Sequence, residues 1–284
     1  MDKQTSWCKQ FAVDGAVCIK NAFDAEWIEL ARRGIERNMS DPGPFFRNLG
    51  DGANSAFSDM WSRRHIPEFN RFCMESPAAG IAALALQSPR VHLAQDTWFL
   101  KQPGSSERTP WHHDTVLTGP FCSVWVALDP TPRAATLEFV RGSHLCGQSL
   151  MPQSFFDAKN ASASDAFYAE FHGDTTRADA HKFGKLPDIE SDRDAYDIIG
   201  WEMAPGDCVV FDARTIHGAP GNHLAHPVRR FITRWVTRET VVSEHGRRMV
   251  DMLGNLGIKL EVGKPLNDPL FPEFTGLSLS ERDR

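Results

Sequence analysis

Two histidines and an aspartate stand side by side in the segment from Thr109 to Gly119, which reads TPWHHDTVLTG. Successive side chains of an extended backbone point to opposite faces, so His112 and Asp114 share one face and His113 lies on the other. An imidazole and a carboxylate on one face can bind the same metal ion. Two ligands do not complete a site, so we expect a third from elsewhere in the chain.

His217 is the best candidate for the third ligand. It lies in the segment GDCVVFDARTIHGAPGN, where an apolar run predicts a strand that ends shortly before the histidine. A His-x-Asp pair with a distant histidine is the 2-His-1-carboxylate arrangement of non-haem Fe(II) oxygenases, which leaves coordination positions open. Open positions favour a catalytic metal over a structural one.

Arginines begin the next apolar segment, VRRFITRWV, about a dozen residues after His217. An arginine that lines a barrel can hold a carboxylate through two parallel hydrogen bonds. An α-keto diacid that chelates a metal at its other end would need such a partner. Of the arginines here, we expect Arg230 and Arg234 to lie at the surface or beside neighbouring carboxylates.

The elements that must position these residues change in character near residue 90. Before it, SWCKQFAVDG, AVCIKNAF and DAEWIELARRGIERNM predict helix, strand and helix, and the segment 66–86 predicts further helix with a break at Pro77. After it, short runs rich in β-branched and aromatic residues alternate with Pro and Gly turns, which is typical of a sandwich or barrel. The sequence therefore predicts a helical cover over about 1–88 and a β core over about 90–240.

Two further segments complete a single predicted domain over 1–284. The polar stretch 146–197 is too long for an ordinary turn, and we interpret it as an insertion over one end of the barrel. After Thr240, the run SEHGRRMVDMLGNLGI predicts one helix, and an irregular tail follows it within 241–284.

The composition narrows the class of partner. The 284 residues are 41% hydrophobic and 24% charged with a formal net charge of −6, which argues against a nucleic-acid partner because phosphate binding needs a basic surface. No apolar leader or membrane span is evident, and the six cysteines are scattered singly. These features predict a cytoplasmic protein without a nucleic-acid or membrane partner.

Taken in order, several motifs resemble those of the phytanoyl-CoA dioxygenase-like Fe(II)/2-oxoglutarate-dependent oxygenases. The resemblance covers most of residues 10 to 240 and runs through FAVDGAVCIKNAFD, WHHD, SVWVALDP, LEFVRGSH, APGDCVVFDARTIHGAPGN and RRFITRWV. It implies a mainly β fold, the double-stranded β-helix or jelly roll, with Fe(II) held by His112, Asp114 and His217.

The resemblance also implies residues around the co-substrate. The arginine that binds 2-oxoglutarate would be Arg229, with Arg230 as the alternative because the spacing from His217 is one residue longer than the family's commonest. Lys101 and Trp125 would lie near the co-substrate, and their alternative interpretations are a solvated strand end and plain core packing.

The implied activity is hydroxylation of a C–H bond of a small-molecule substrate with O2, which releases succinate and CO2. In the related halogenases a small residue replaces the aspartate, so Asp114 favours hydroxylation over halogenation. The alternative is a jelly-roll binding or sensing protein that keeps the metal without turnover.

Overall fold

The computed structural model describes residues 3–48, 55–105, 108–147, 150–151 and 184–277. The α-helices of these residues are α1 (Lys3–Asp14), α2 (Ala25–Ser40), α3 (Pro67–Glu75), α4 (Ala78–Ala85) and α5 (Arg247–Gly254). Short 3-10 turns lie at Ser62–Arg64, Arg133–Ala135, Ser143–Cys146, Arg193–Ala195 and Glu244–Gly246. None of the helices in the described ranges is both long and apolar enough to cross a membrane.

Short strands make up the rest of the regular structure. They are β1 (Ala16–Ile19), β2 (Arg47–Asn48), β3 (Ala56–Met60), β4 (Val91–Lys101), β5 (Thr109–His112), β6 (Leu117–Thr118), β7 (Phe121–Ala127), β8 (Glu138–Val140), β9 (Leu150–Met151), β10 (Gly184–Lys185), β11 (Ile198–Ile199), β12 (Cys208–Asp212), β13 (His217–Ala219), β14 (Val228–Val236), β15 (Val241–Val242) and β16 (Glu273–Phe274). The fold is mainly β.

Two antiparallel sheets form the core. The large sheet has the order β1-β12-β7-β14-β4-β3-β2, and β16 also pairs with β4. The small sheet has the order β11-β8-β13-β5. The non-consecutive neighbours in both sheets show that strands distant in sequence are brought side by side, as in β-sandwiches with Greek-key connections.

The two faces of the large sheet pack against different elements. One face packs against the helices, where Phe231 of β14 lies 4.8 Å from the ring of Phe69 and 4.7 Å from that of Phe72 on α3. The other face packs against the small sheet through Trp125, Phe139 and other buried residues. The space between the two sheets is called the barrel interior below.

The central strand β14 is buried on both faces. Phe231 and Trp235 belong to the apolar cluster under the helices, whereas Ile232 belongs to the cluster in the barrel interior. Because strand side chains alternate, Arg230 and Arg234 share the interior face with Ile232, and Arg229 lies on the helix side.

The helix-strand-helix opening predicted from the sequence is confirmed as α1, β1 and α2, and the predicted break at Pro77 separates α3 from α4. The C-terminal helix is shorter than predicted. A 3-10 turn at Glu244–Gly246 precedes α5, which ends at Gly254. Its Leu253 and the following Leu260 pack with Phe121 of the large sheet.

Most of the insertion predicted over 146–197 lies outside the described residues. Its returning arm, 184–199, lies against the outer face of the small sheet, where Leu186 and Ile189 pack with Trp111 of β5. Arg193 of this arm donates to Glu138 Oε1 at 2.7 Å, and Trp111 Nε1 donates to Glu190 Oε1 at 2.5 Å. This part of the insertion therefore covers the back of the small sheet, and the position predicted for the insertion as a whole, over one end of the barrel, stays a prediction.

A glycine on α2 allows the helices to approach the large sheet. A Cβ at Gly34 would lie 2.4 Å from Phe69 Cε1, and Phe69 is fully buried against Phe231. We expect Gly34→Ala to destabilise the protein by about 1–3 kcal/mol, because overpacking outweighs the better helix propensity of alanine. The matched control is Gly254→Ala on α5, where no atom lies within 4 Å. Urea unfolding measures both variants, and a Gly34→Ala protein as stable as the control would contradict the prediction.

Candidate metal centre

The strands β5 and β13 bring the predicted ligands together. They pair antiparallel with His217 directly opposite His112, and the centroids of the two rings lie 4.2 Å apart. Asp114 follows the end of β5, and its backbone N–H donates to the carbonyl of Ala213 at 2.7 Å. One ligand atom from each of His112, Asp114 and His217 lies within 4.8 Å of the other two. This spacing allows the three side chains to bind a single metal ion.

Backbone carbonyls fix the orientation of both histidines. Nδ1 of His112 lies 2.8 Å from the carbonyl of Pro110, and Nδ1 of His217 lies 2.8 Å from the carbonyl of Thr215. A carbonyl can only accept, so each Nδ1 is assigned as the donor. In a neutral imidazole the lone pair then lies on Nε2, which is the usual arrangement for a histidine that binds a metal.

The protonation states also suit a metal. Burial lowers the pKa of His112 to about 3, with a further contribution from His217, and burial likewise lowers the pKa of His217. Burial opposes ionisation of Asp114, but Arg234 and the two histidines outweigh it, so the pKa of this carboxyl lies below its ordinary value. Near neutral pH the three groups are therefore two neutral imidazoles and one carboxylate.

His113 lies on the other side of the strand. Its Nε2 accepts a hydrogen bond from the backbone N–H of Leu150 at 2.9 Å, at the start of the insertion. Leu150 belongs to the apolar cluster on the outer face of the small sheet. The alternation predicted for the WHHD segment is thus confirmed.

Arg229 is not brought to the metal centre. It lies on the helix side of β14, where Nε and Nη2 donate to the two carboxylate oxygens of Asp129 at 3.0 and 2.8 Å. Its Nη1 lies 3.8 Å from Glu36 on α2. The planar guanidinium already has a bidentate carboxylate partner in the folded chain.

Arg230 lies in the barrel interior, so the expectation that it lies at the surface or beside a carboxylate is wrong. The residue is only 3% exposed, and its guanidinium carbon lies 4.6 Å from the ring centroid of Trp125. Nη1 donates to the carbonyl of Arg229 at 2.6 Å and Nη2 donates to Thr131 Oγ1, but buried Nε has no hydrogen-bond partner in the described part of the chain.

The charge of Arg230 is poorly compensated. Among the described residues, no carboxylate lies within ion-pairing distance of its guanidinium, and burial lowers its pKa to about 9. A buried cation without an anionic partner is strongly destabilising. The interior is therefore suited to receive an anion at this point.

Lys101 and Trp125 lie on the strands that flank Arg230. Trp125 of β7 is buried in the interior cluster. Lys101 ends β4, and its Nζ donates to the carbonyl of Pro220 at 2.9 Å. Its Cα pairs with Val228 at the start of β14, so the lysine lies at the same end of the sheet as Arg230.

Sequence reasoning missed two polar residues beside the predicted site. Asp129, in the motif SVWVALDP, is the partner of Arg229, and Gln95 on β4 accepts a hydrogen bond from Arg234 Nη1 at 2.8 Å. Strand pairing could have indicated both residues. Gln95 lies opposite Arg234 on the adjacent strand β4, and Asp129 follows β7, which is the other neighbour of β14.

Two proteins of nogalamycin biosynthesis have solved structures of similar fold. The epimerase SnoN, solved with Fe3+, alpha ketoglutarate and nogalamycin RO, is 19% identical with a TM-score of 0.71, covering 95% of this chain and 98% of its own. The alpha ketoglutarate dependent carbocyclase SnoK from nogalamycin biosynthesis is 18% identical with a TM-score of 0.67, covering 94% of this chain and 95% of its own.

A third similar structure is EctD from S. alaskensis, solved with 2-oxoglutarate and 5-hydroxyectoine. It is 19% identical with a TM-score of 0.58, covering 84% of this chain and 77% of its own. At these identities the likeness shows the fold alone. No curated protein sequence is significantly similar to this chain.

A family model matches the sequence itself. The model for phytanoyl-CoA dioxygenase matches residues 11–231, which include β5, β13 and the start of β14. The match spans most of the chain and confirms the resemblance seen in its motifs. The protein belongs to the phytanoyl-CoA dioxygenase family.

Proposed function

We propose that this protein is an Fe(II)- and 2-oxoglutarate-dependent dioxygenase that hydroxylates a C–H bond of a small-molecule substrate and releases succinate and CO2. The two facing sheets would be the double-stranded β-helix, or jelly roll, on which such enzymes are built. The observation that carries the proposal is the buried, uncompensated Arg230, which faces the same interior as the three metal-ligand residues.

His112, Asp114 and His217 would hold the iron. Two imidazole nitrogens and one carboxylate oxygen are the donor set of non-haem Fe(II) oxygenases, and they leave positions for a chelating co-substrate and O2. The bound metal and 2-oxoglutarate would supply the oxidising chemistry. The contribution of the chain is to bind and orient them in the interior.

Arg230, rather than Arg229, would bind the distal carboxylate of 2-oxoglutarate. Arg229 already has Asp129 as a bidentate partner on the opposite face of β14, whereas Arg230 is buried in the interior without a carboxylate. The ring of Trp125 would stabilise the Arg230 guanidinium through a cation–π contact. Lys101, at the same end of the sheet, would add a positive charge near the co-substrate.

An enzyme is favoured over a binding or sensing protein that has lost turnover. The three ligand groups are in the protonation states that a metal needs, and the side chain of Asp114 is 14% exposed, so the metal centre is reachable. SnoN is an epimerase and SnoK is a carbocyclase, so this fold supports more than one reaction. The choice of hydroxylation for this protein is therefore part of the proposal.

Turnover is tested by succinate formation. With Fe(II), 2-oxoglutarate and O2, we expect the purified protein to convert 2-oxoglutarate to succinate, slowly without a primary substrate and faster with one. His112→Ala supplies the background rate, because it removes a ligand. Succinate formation no faster than this background in every condition would favour the binding or sensing protein.

The ligand set is tested by metal binding. We expect His112→Ala, Asp114→Ala and His217→Ala each to weaken Co(II) binding by more than about a hundredfold, since even partners outside the ligand shell typically contribute ten- to a hundredfold. Isothermal titration under anaerobic conditions measures the affinity. His113→Ala is the matched control from the opposite face of the strand, and a loss there as large as in His112→Ala would show that the register is wrong.

The arginine assignment is tested by paired substitutions on one strand. A guanidinium holds a carboxylate through a planar fork that lysine cannot reproduce, and losing one side of a buried charged pair costs about 2–5 kcal/mol. We expect Arg230→Lys to weaken 2-oxoglutarate binding by roughly thirty- to several-thousand-fold. Arg229→Lys should have a much smaller effect. The visible charge-transfer absorption of the anaerobic Fe(II)–2-oxoglutarate complex reports the affinity, and a larger effect at Arg229 would reverse the assignment.

A further inference from the structure

A second arginine enters the barrel interior beside the metal-ligand residues. Arg234 lies four residues after Arg230 on the same face of β14. Its Nε lies 3.5 Å from Asp114 Oδ2, and its Nη1 donates to Gln95 Oε1 at 2.8 Å. The neutral amide of Gln95 fixes the direction of the guanidinium without neutralising its charge.

One edge of this guanidinium remains available. Among the described residues, Arg234 Nη2 makes no hydrogen bond, so its two donors can bind a ligand. The Arg234 side chain is 18% exposed, whereas Arg230 as a whole residue is 3% exposed. The interior thus has an enclosed arginine and a more open one on the same strand face.

The charges of the proposed complex are not balanced without a further anion. This count depends on the proposed function. Fe(II) and the two arginines bring four positive charges, while Asp114 and 2-oxoglutarate bring three negative ones. Lys101 would only increase the positive surplus. In an interior of low dielectric constant such a surplus strongly favours an additional negative group.

We propose that Arg234, oriented by Gln95, binds a carboxylate of the primary substrate. The substrate would then be a small organic acid, and the oxidised C–H bond would lie within a few bonds of its carboxylate, because Arg234 contacts a metal-ligand residue. Arg234 lies three residues beyond the segment 11–231 that the family model matches.

The experiment uses matched acids and amides on the anaerobic Fe(II)–2-oxoglutarate protein. The probes are acetate, hexanoate and phenylacetate, each compared with its primary amide, and the readout is the change that binding produces in the visible charge-transfer absorption. We expect at least one acid to bind and its amide to bind at least about tenfold more weakly, as expected for the loss of a charge-assisted hydrogen bond.

Substitutions of Arg234 test whether this arginine causes the preference for the acid over the amide. Arg234→Met should lower the affinity for the acid by about ten- to a hundredfold and leave the amide unaffected. Arg234→Lys should retain part of the preference, because it keeps the charge but loses the fork. Arg238→Met, at an exposed position just after β14, is the control for a general loss of positive charge.

Several results would overturn the inference. The inference is wrong if none of the acids binds, or if each acid and its amide bind equally well. It is also wrong if Arg234→Met leaves the affinity for the acid unchanged. If Arg234→Met weakens 2-oxoglutarate binding as much as Arg230→Lys, then Arg234 belongs to the co-substrate site instead. If the charge-transfer absorption never forms with iron and 2-oxoglutarate alone, the proposed function itself fails, and this inference fails with it.

Discussion

The antiparallel pairing of β5 with β13 is the interaction on which the candidate metal centre depends. It places His217 directly across from His112, although the two residues are far apart in sequence. The backbone then sets both rings through the carbonyls two residues earlier, those of Pro110 and Thr215. A shift of one residue in this register would turn one of the two rings to the outer face of the small sheet. The geometry of the centre is therefore a property of the sheet, and the side chains need no long loop to meet.

The strand β14 adds a second constraint, because its two faces meet different environments. Its helix-side face carries Phe231 and Trp235 under the helices, and Arg229 is paired there with Asp129. Its interior face carries the two arginines that flank Ile232. Burial of a guanidinium is costly unless a negative group accompanies it. The fold tolerates this cost at Arg230 where a ligand can supply the missing charge, which is typical of binding sites rather than of structural cores.

Local pattern predicted which three side chains come together in the candidate metal centre, and the reason is physical. Alternation separates His112 and Asp114 from His113, and an apolar run followed by a histidine identifies the second strand. The choice between Arg229 and Arg230 could not be made in this way. Both faces of β14 are buried, so alternation tells which residues share a face but not which face is the interior. Only the pairing with neighbouring strands and the packing of the helices distinguish them.

The returning arm of the insertion has a consequence for how this family member can change over evolutionary time. Hydrogen bonds join the described part of the insertion to the segment that carries His112, from Leu150 to His113 and from Trp111 to Glu190. Trp111 and His113 are the sequence neighbours of His112. Both contacts are made near the ends of the insertion, so a change in the length or sequence of the chain between them would leave both contacts beside His112 in place.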